Sequence, residues 1–105
     1  MSTAETRPQL VRFWKKLLRL TRGRVTVLRA LEVIGKEETD PAFREVVEAI
    51  RLTVEKGSPL SAAALKHPAF FSHSVAELLK TAEKCGAWDE ILQEIAEGLE
   101  DGTFD

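Results

Sequence analysis

Residues 57–92 hold the reading that decides the fold: Gly57-Ser58-Pro59-Leu60-Ser61-Ala62-Ala63-Ala64-Leu65-Lys66-His67-Pro68, then Phe70-Phe71, then Ala82-Glu83-Lys84-Cys85-Gly86-Ala87-Trp88-Asp89-Glu90-Ile91-Leu92. Gly57 ends one helix, and Ser58-Pro59 is a cap-plus-proline signal for the next. Pro68 forbids that helix from continuing, so it spans only about two turns. Its small residues Ala62, Ala63 and Ala64 let a neighbour approach closely. Ser74 and Glu77 read as a capping box for a fifth helix, whose buried face would be Val75, Leu78, Leu79 and Ala82. Gly86 stops it. Trp88, Ile91, Leu92, Ile95 and Leu99 then define a sixth helix, with Asp89 and Glu90 in the first turn, where carboxylates meet the dipole favourably. This pattern of short, punctuated helices suits an interaction scaffold better than an active site.

Upstream the same period continues. Leu10, Phe13, Trp14, Leu17 and Leu18 recur on one helical face, opposite Arg12, Lys15, Lys16 and Arg19. Helix one is predicted from about Pro8 to Arg22, with Gly23 as its left-handed cap. A second helix would carry Val27, Leu28, Leu31 and Ile34 inward, forming an αα-hairpin with the first. Asp40-Pro41 is a start signal for helix three, whose stripe is Phe43, Val46, Val47, Ile50 and Val54. The expected fold is all-α: a compact bundle of about six helices built from helix hairpins. The expected organisation is one domain over residues 8–101, a disordered segment 1–7 and a frayed end at 102–105.

The 105 residues fit a single core, and 44% hydrophobic with 30% charged residues excludes a disordered tail. No apolar run approaches the roughly 20 residues of a membrane-spanning helix, and Met1-Ser2-Thr3-Ala4-Glu5-Thr6 lacks the pattern of a secretory signal. The single cysteine, Cys85, excludes an internal disulfide and suits a reducing compartment, so a cytoplasmic location is expected. The net charge of −2 is unevenly spread. Residues 1–36 carry nine Lys/Arg against Glu5 and Glu32, a net +7, while the remainder carries six basic against fifteen acidic residues, a net −9. A basic first third would steer acidic partners, although solvated helix faces account for the same charges.

The inventory of chemistry is thin. His67 and His73 are the only histidines, and His67 precedes a helix-breaking proline, a local structural role. A Cys85–His73 nucleophilic pair would need a base in reach and an electropositive setting, and Cys85 sits beside a helix-ending glycine. Glu83 and Asp89, with Glu90, are the carboxylates that a divalent cation would use, and ordinary helix-end charge accounts for them as well. No phosphate loop, zinc spacing or hydrolase motif occurs, so neither enzymatic activity nor a cofactor is expected. Trp14 and Trp88 lie in phase with their helices' apolar stripes and read as core anchors.

The ordered set of motifs resembles the type II secretion system F domain, the cytoplasmic helical domain of inner-membrane platform proteins of type II secretion and type IV pili. The family's Gly-hydrophobic-Pro-hydrophobic turn and Ala-Leu helix are answered by Gly23 to Leu31, and its Asn-Pro start by Asp40-Pro41. Gly-x-x-Leu-Ser-x-Ala is answered by Gly57 to Ala63, His-Pro-x-x-Phe by His67, Pro68 and Phe71, and Gly-Glu-x-x-Gly-x-Leu-Asp-x-x-Leu by Ala82 to Leu92. Arg24 stands at the usual turn glycine, Thr26 at the proline and Ala82 at the first glycine of the Gly-Glu pair. The resemblance covers about Phe13 to Leu99.

It implies a non-enzymatic docking domain at the cytoplasmic face of the inner membrane. The implied partners are the assembly ATPase, neighbouring inner-membrane components and a second copy of itself as a homodimer. Family members carry membrane-spanning segments and usually a second copy of the domain, so an excised piece and a stand-alone soluble relative are both open. The candidate partner-binding residues are Arg12, Lys16, Arg19, Arg22 and Arg24, the charge that an acidic or membrane-bound partner meets first. The alternative is a soluble adaptor, or a small binder of anionic membrane or nucleic acid, using the same basic helix. The net −9 of the remainder counts against nucleic acid.

Overall fold

A computed structural model describes the backbone of residues 3–102 and the side chains from Arg7 to Gly102. Six helices follow in order: α1 Thr3–Arg22, α2 Val27–Glu37, α3 Pro41–Glu55, α4 Leu60–Leu65, α5 His73–Cys85 and α6 Trp88–Asp101. Each packs on its neighbours in sequence, and α6 returns to pack along α1, so the six close into a ring around one core. The α1–α6 seam is the most extensive contact, tying the two ends of the chain together. The radius of gyration is 12.4 Å, close to the ~13 Å of a folded 100-residue domain.

The centre of the ring is aromatic. Phe13 and Trp14 of α1 meet edge-to-face at 4.9 Å, and Phe13 lies 5.7 Å from Phe43 of α3 and 5.8 Å from Phe71. Phe71 reaches the core because Pro68 breaks the chain after α4. The amides of Phe70 and Phe71 both donate to the His67 carbonyl at 3.0 Å, turning the two rings inward. Around this cluster close Leu10, Leu17, Leu31, Val47, Ile50, Leu79, Leu92 and Ile95, all fully buried. Trp14 is a core anchor as expected, whereas Trp88 is only partly buried at the edge. In α2, Ala30, Leu31 and Ile34 take the core, Val27 packs against it, and Leu28 stays half-exposed.

Several boundaries differ from the sequence reading, each for a local reason. Helix α1 begins at Thr3 rather than Pro8, so residues 3–7, expected to be disordered, continue the helix; Met1 and Ser2 lie outside the described residues. Pro8 sits inside α1, where it forgoes the hydrogen bond its missing N–H would have donated. At the other end of α1, Arg24 and not Gly23 adopts the left-handed conformation, with φ 69°. The Arg24 amide donates to the Thr21 carbonyl at 3.0 Å and Val25 to Leu20 at 3.0 Å, the double closure of a Schellman cap. The end of α3 repeats that geometry with glycine in place: Gly57 has φ 105°, and Ser58 donates to the Thr53 carbonyl at 3.2 Å.

The start of α3 is as read, with Asp40 Oδ2 accepting from the Phe43 amide at 2.8 Å. The start of α5 is not. Ser72, two residues before the expected Ser74, is the cap, its Oγ accepting from the Val75 amide at 3.2 Å. Phe71 is pinned in the core, which makes the next residue the last extended one. Glu77 therefore has no capping role and instead meets Lys80 at 3.2 Å and His73 at 3.5 Å. Helix α5 buries Val75, Ala76, Leu79 and Ala82, while Leu78 is half-exposed. Ser58 does not cap α4 either: Pro59 occupies the N-cap and supplies no side-chain bond. Gly102, with φ 85°, closes α6, and the remainder of the expected frayed end, 103–105, lies outside the described residues.

Candidate docking surfaces

Glu83 supplies what α4 lacks. From the last turns of α5 its two carboxylate oxygens accept from the Ser61 amide at 2.9 Å and the Ser61 hydroxyl at 2.7 Å. Ser61 is 2% exposed, the one buried polar residue among those described. Its amide is one of the donors a helix leaves unpaired in its first turn, so a carboxylate twenty-two residues away acts as the cap. Both of the oxygens that sequence reading had considered for a cation are thus engaged in joining α4 to α5.

Asp89, the other carboxylate considered for a cation, lies on α6 with Oδ2 3.7 Å from Arg22 Nε. Among the described residues no three His, Cys, Asp or Glu side chains are grouped to hold a metal ion. Cys85 and His73 stand at opposite ends of α5, about 18 Å apart at ~1.5 Å rise per residue, and so form no pair.

The five basic candidates divide by their partners. Arg22 is tied to α6, donating to Gln93 Oε1 at 3.0 Å besides meeting Asp89. Lys16 is ion-paired with Glu37 at the end of α2. The side chains of Arg12, Arg19 and Arg24 are exposed and make no hydrogen bond or ion pair among the described residues. Lys15, not singled out from sequence, pairs with Glu100 at 3.0 Å. Lys15 and Arg22 thus close the α1–α6 seam, Lys16 closes the α1–α2 side, and Arg12 and Arg19 project between them as a free cationic ridge. Arg24 stands past the helix end in its strained turn.

Two features escaped the sequence reading. A groove of about 600 Å³ runs between α5 and α6, lined by Leu78, Gly98, Glu77, Glu94, Glu97 and Asp101 among others. The acidic side of α6 was visible as the spacing Glu90, Glu94, Glu97, but nothing in one sequence says which helix faces leave a depression between them. On the far side of the ring, Arg51 draws together α3 carboxylates: its Nε donates to Glu48 at 3.0 Å and its Nη1 to Glu55 at 3.2 Å. The Arg51 hydrogen bond holds the Glu48 carboxyl below its ordinary pKa, partly opposed by desolvation. Among the described residues no helix is long and apolar enough to cross a membrane.

Comparison with known proteins agrees with the architecture. The chain is 29% identical over 91 residues to the type IV pilus assembly protein PilC of Thermus thermophilus, covering 87% of this chain and 22% of that protein. It is 32% identical over 91 residues to the type II secretion system protein F of Xanthomonas campestris pv. campestris, with the same coverage of 87% and 22%. It is 31% identical over 72 residues to the type IV pilus assembly protein TapC of Aeromonas hydrophila, covering 69% of this chain and 17% of that one. The chain thus spans about a fifth of the length of the relatives it matches. The family profile described as "Type II secretion system (T2SS), protein F" matches residues 13–103, which is all but the first turns of α1 and the last two residues, and the chain belongs to that family.

Proposed function

We propose that this chain is a non-enzymatic docking domain of a type II secretion or type IV pilus platform. It stands at the cytoplasmic face of the inner membrane, where it contacts the assembly ATPase, neighbouring inner-membrane components and a second copy of itself. The observation that carries this reading is the ridge of Arg12 and Arg19 on α1. These are exposed cations without side-chain partners among the described residues, on a helix where Lys15, Lys16 and Arg22 are paired within the fold. A cation already paired within its own fold gains little from a second carboxylate, whereas an unpaired one steers and orients an acidic surface.

The test is titration of the purified domain with the cytoplasmic assembly ATPase of the same machine, for the natural chain and for Arg12→Glu/Arg19→Glu. Binding that weakens with added salt and falls at least about tenfold on reversal supports the reading. Unchanged affinity in the variant refutes it. Lys16 is left in place, because its reversal would also set two carboxylates against each other at Glu37. Vesicles containing anionic lipid, run beside the ATPase, separate protein docking from the alternative of a membrane-surface binder, which would bind vesicles and ignore the ATPase.

A further inference from the structure

Two exposed stripes of opposite sign share one spacing. On α1, Arg12 and Arg19 are seven residues apart, about 10.5 Å along the axis, with Lys16 between them. On α6, Glu90, Glu94 and Glu97 repeat the same i, i+4, i+7 steps, and all three are exposed. None of the three has an ion pair among the described residues; Glu97 accepts only from the Gln93 amide, at 2.9 Å. The α6 residues that face α1 within the molecule, Asp89, Gln93 and Glu100, stand about a quarter turn around the helix from this stripe. The ridge and the stripe therefore both point outward, away from the internal seam, and no ion pair joins them among the described residues.

Beside the acidic stripe lies the α5/α6 groove, into which Glu94 and Glu97 contribute with half-exposed Leu78 and the side-chain-free backbone of Gly98. We propose that a second copy of this chain lays its Arg12–Arg19 ridge along the Glu90, Glu94 and Glu97 edge of that groove. Each copy carries both halves, so the ridge of one meets the edge of the other. This deepens the self-association included in the proposed function and rests on it. The occupant is a second copy because the matching charge, at the matching spacing and on the same kind of helical face, is present in the chain itself. Exposed ion pairs of this kind give weak, salt-sensitive association that sets register more than affinity.

The experiment is sedimentation velocity across protein concentration at about 50 mM and about 500 mM salt. It compares the natural chain, Arg12→Glu/Arg19→Glu, Glu94→Lys/Glu97→Lys, and an equimolar mixture of the two variants, with circular dichroism confirming that both variants fold. The natural chain is expected to associate at low salt and dissociate at high salt. Each variant alone should self-associate at least about tenfold more weakly. The mixture should regain association, because the natural ridge of one variant meets the natural edge of the other. A natural chain that stays monomeric, variants that associate as it does, or a mixture that stays monomeric would each overturn the contact. A monomeric chain that still binds the ATPase sinks this contact alone, and an associating chain that ignores the ATPase sinks the docking reading alone.

Discussion

Replacing Glu83 by alanine should loosen α4 far more than a partly exposed surface carboxylate ordinarily would. The side chain accepts two hydrogen bonds, at 2.9 Å from the Ser61 amide and 2.7 Å from its hydroxyl, and Ser61 is almost fully buried. Charge-assisted bonds of this kind contribute about 1.5–3 kcal/mol, and a buried donor stripped of its partner costs about 1–3 kcal/mol. Because Pro59 supplies no side-chain cap, nothing else in the first turn of α4 takes over. The expected loss is about 2–4 kcal/mol, and at about 4–8 °C per kcal/mol for a domain of this size the midpoint should fall by about 8–32 °C.

Glu83→Gln, which keeps an acceptor for the amide, should cost about half as much. Ser61→Ala removes the hydroxyl alone and should cost about 1 kcal/mol. Urea unfolding of the two single variants and the double variant reads the coupling directly. The double variant should be less destabilised than the sum of the singles by at least about 0.5 kcal/mol, with faster amide exchange confined to α4. A Glu83→Ala loss under about 0.5 kcal/mol would refute the capping role, and strict additivity would refute the bond to the Ser61 hydroxyl.

Two further expectations follow from the turns and from α3. Arg24 holds a left-handed conformation that costs a residue bearing Cβ about 1–2 kcal/mol, so Arg24→Gly should stabilise the fold by about 0.5–1 kcal/mol after the added chain entropy of glycine. Gly57→Ala, at φ 105°, should destabilise it, and thermal melts showing the opposite pair of signs would rule this account out. Arg51 depresses the pKa of Glu48, so the contribution of this pair is present above the ordinary carboxylate range and is lost as pH falls through the depressed value. Because Glu48 is half-exposed, the effect on stability is small, and the sensitive readout is carboxyl titration by NMR. Arg51→Ala should return Glu48 to an ordinary midpoint, and an unmoved titration would show that the guanidinium is not the cause.

How far the sequence carried the reading depended on whether the deciding interaction was local. Asp40-Pro41 needed only its own neighbours, and the cap formed where it was read. The Ser58 and Ser74 readings failed because the governing contacts came from elsewhere. The cap of α4 arrives from Glu83 on another helix, and the register of α5 is set by Phe71 packing into the aromatic centre. The turn after α1 misled for a related reason: glycine is the natural left-handed residue, but the backbone placed that conformation one position later, on Arg24. The basic face of α1 was legible as a whole. Which of its cations are spent on Glu37, Asp89 and Glu100, and which stay free, required the closed ring of helices.

The docking claim is tested most directly by placing a photo-crosslinking amino acid at Arg12 or Arg19 in cells assembling the machine, with Glu45 on the exposed side of α3 as the control position. The account predicts adducts from both α1 positions that mass spectrometry identifies as the assembly ATPase or an inner-membrane component of the same machine, and none from Glu45. Equal yields from the ridge and the control, or adducts at the ridge with no component of the machine, would contradict it.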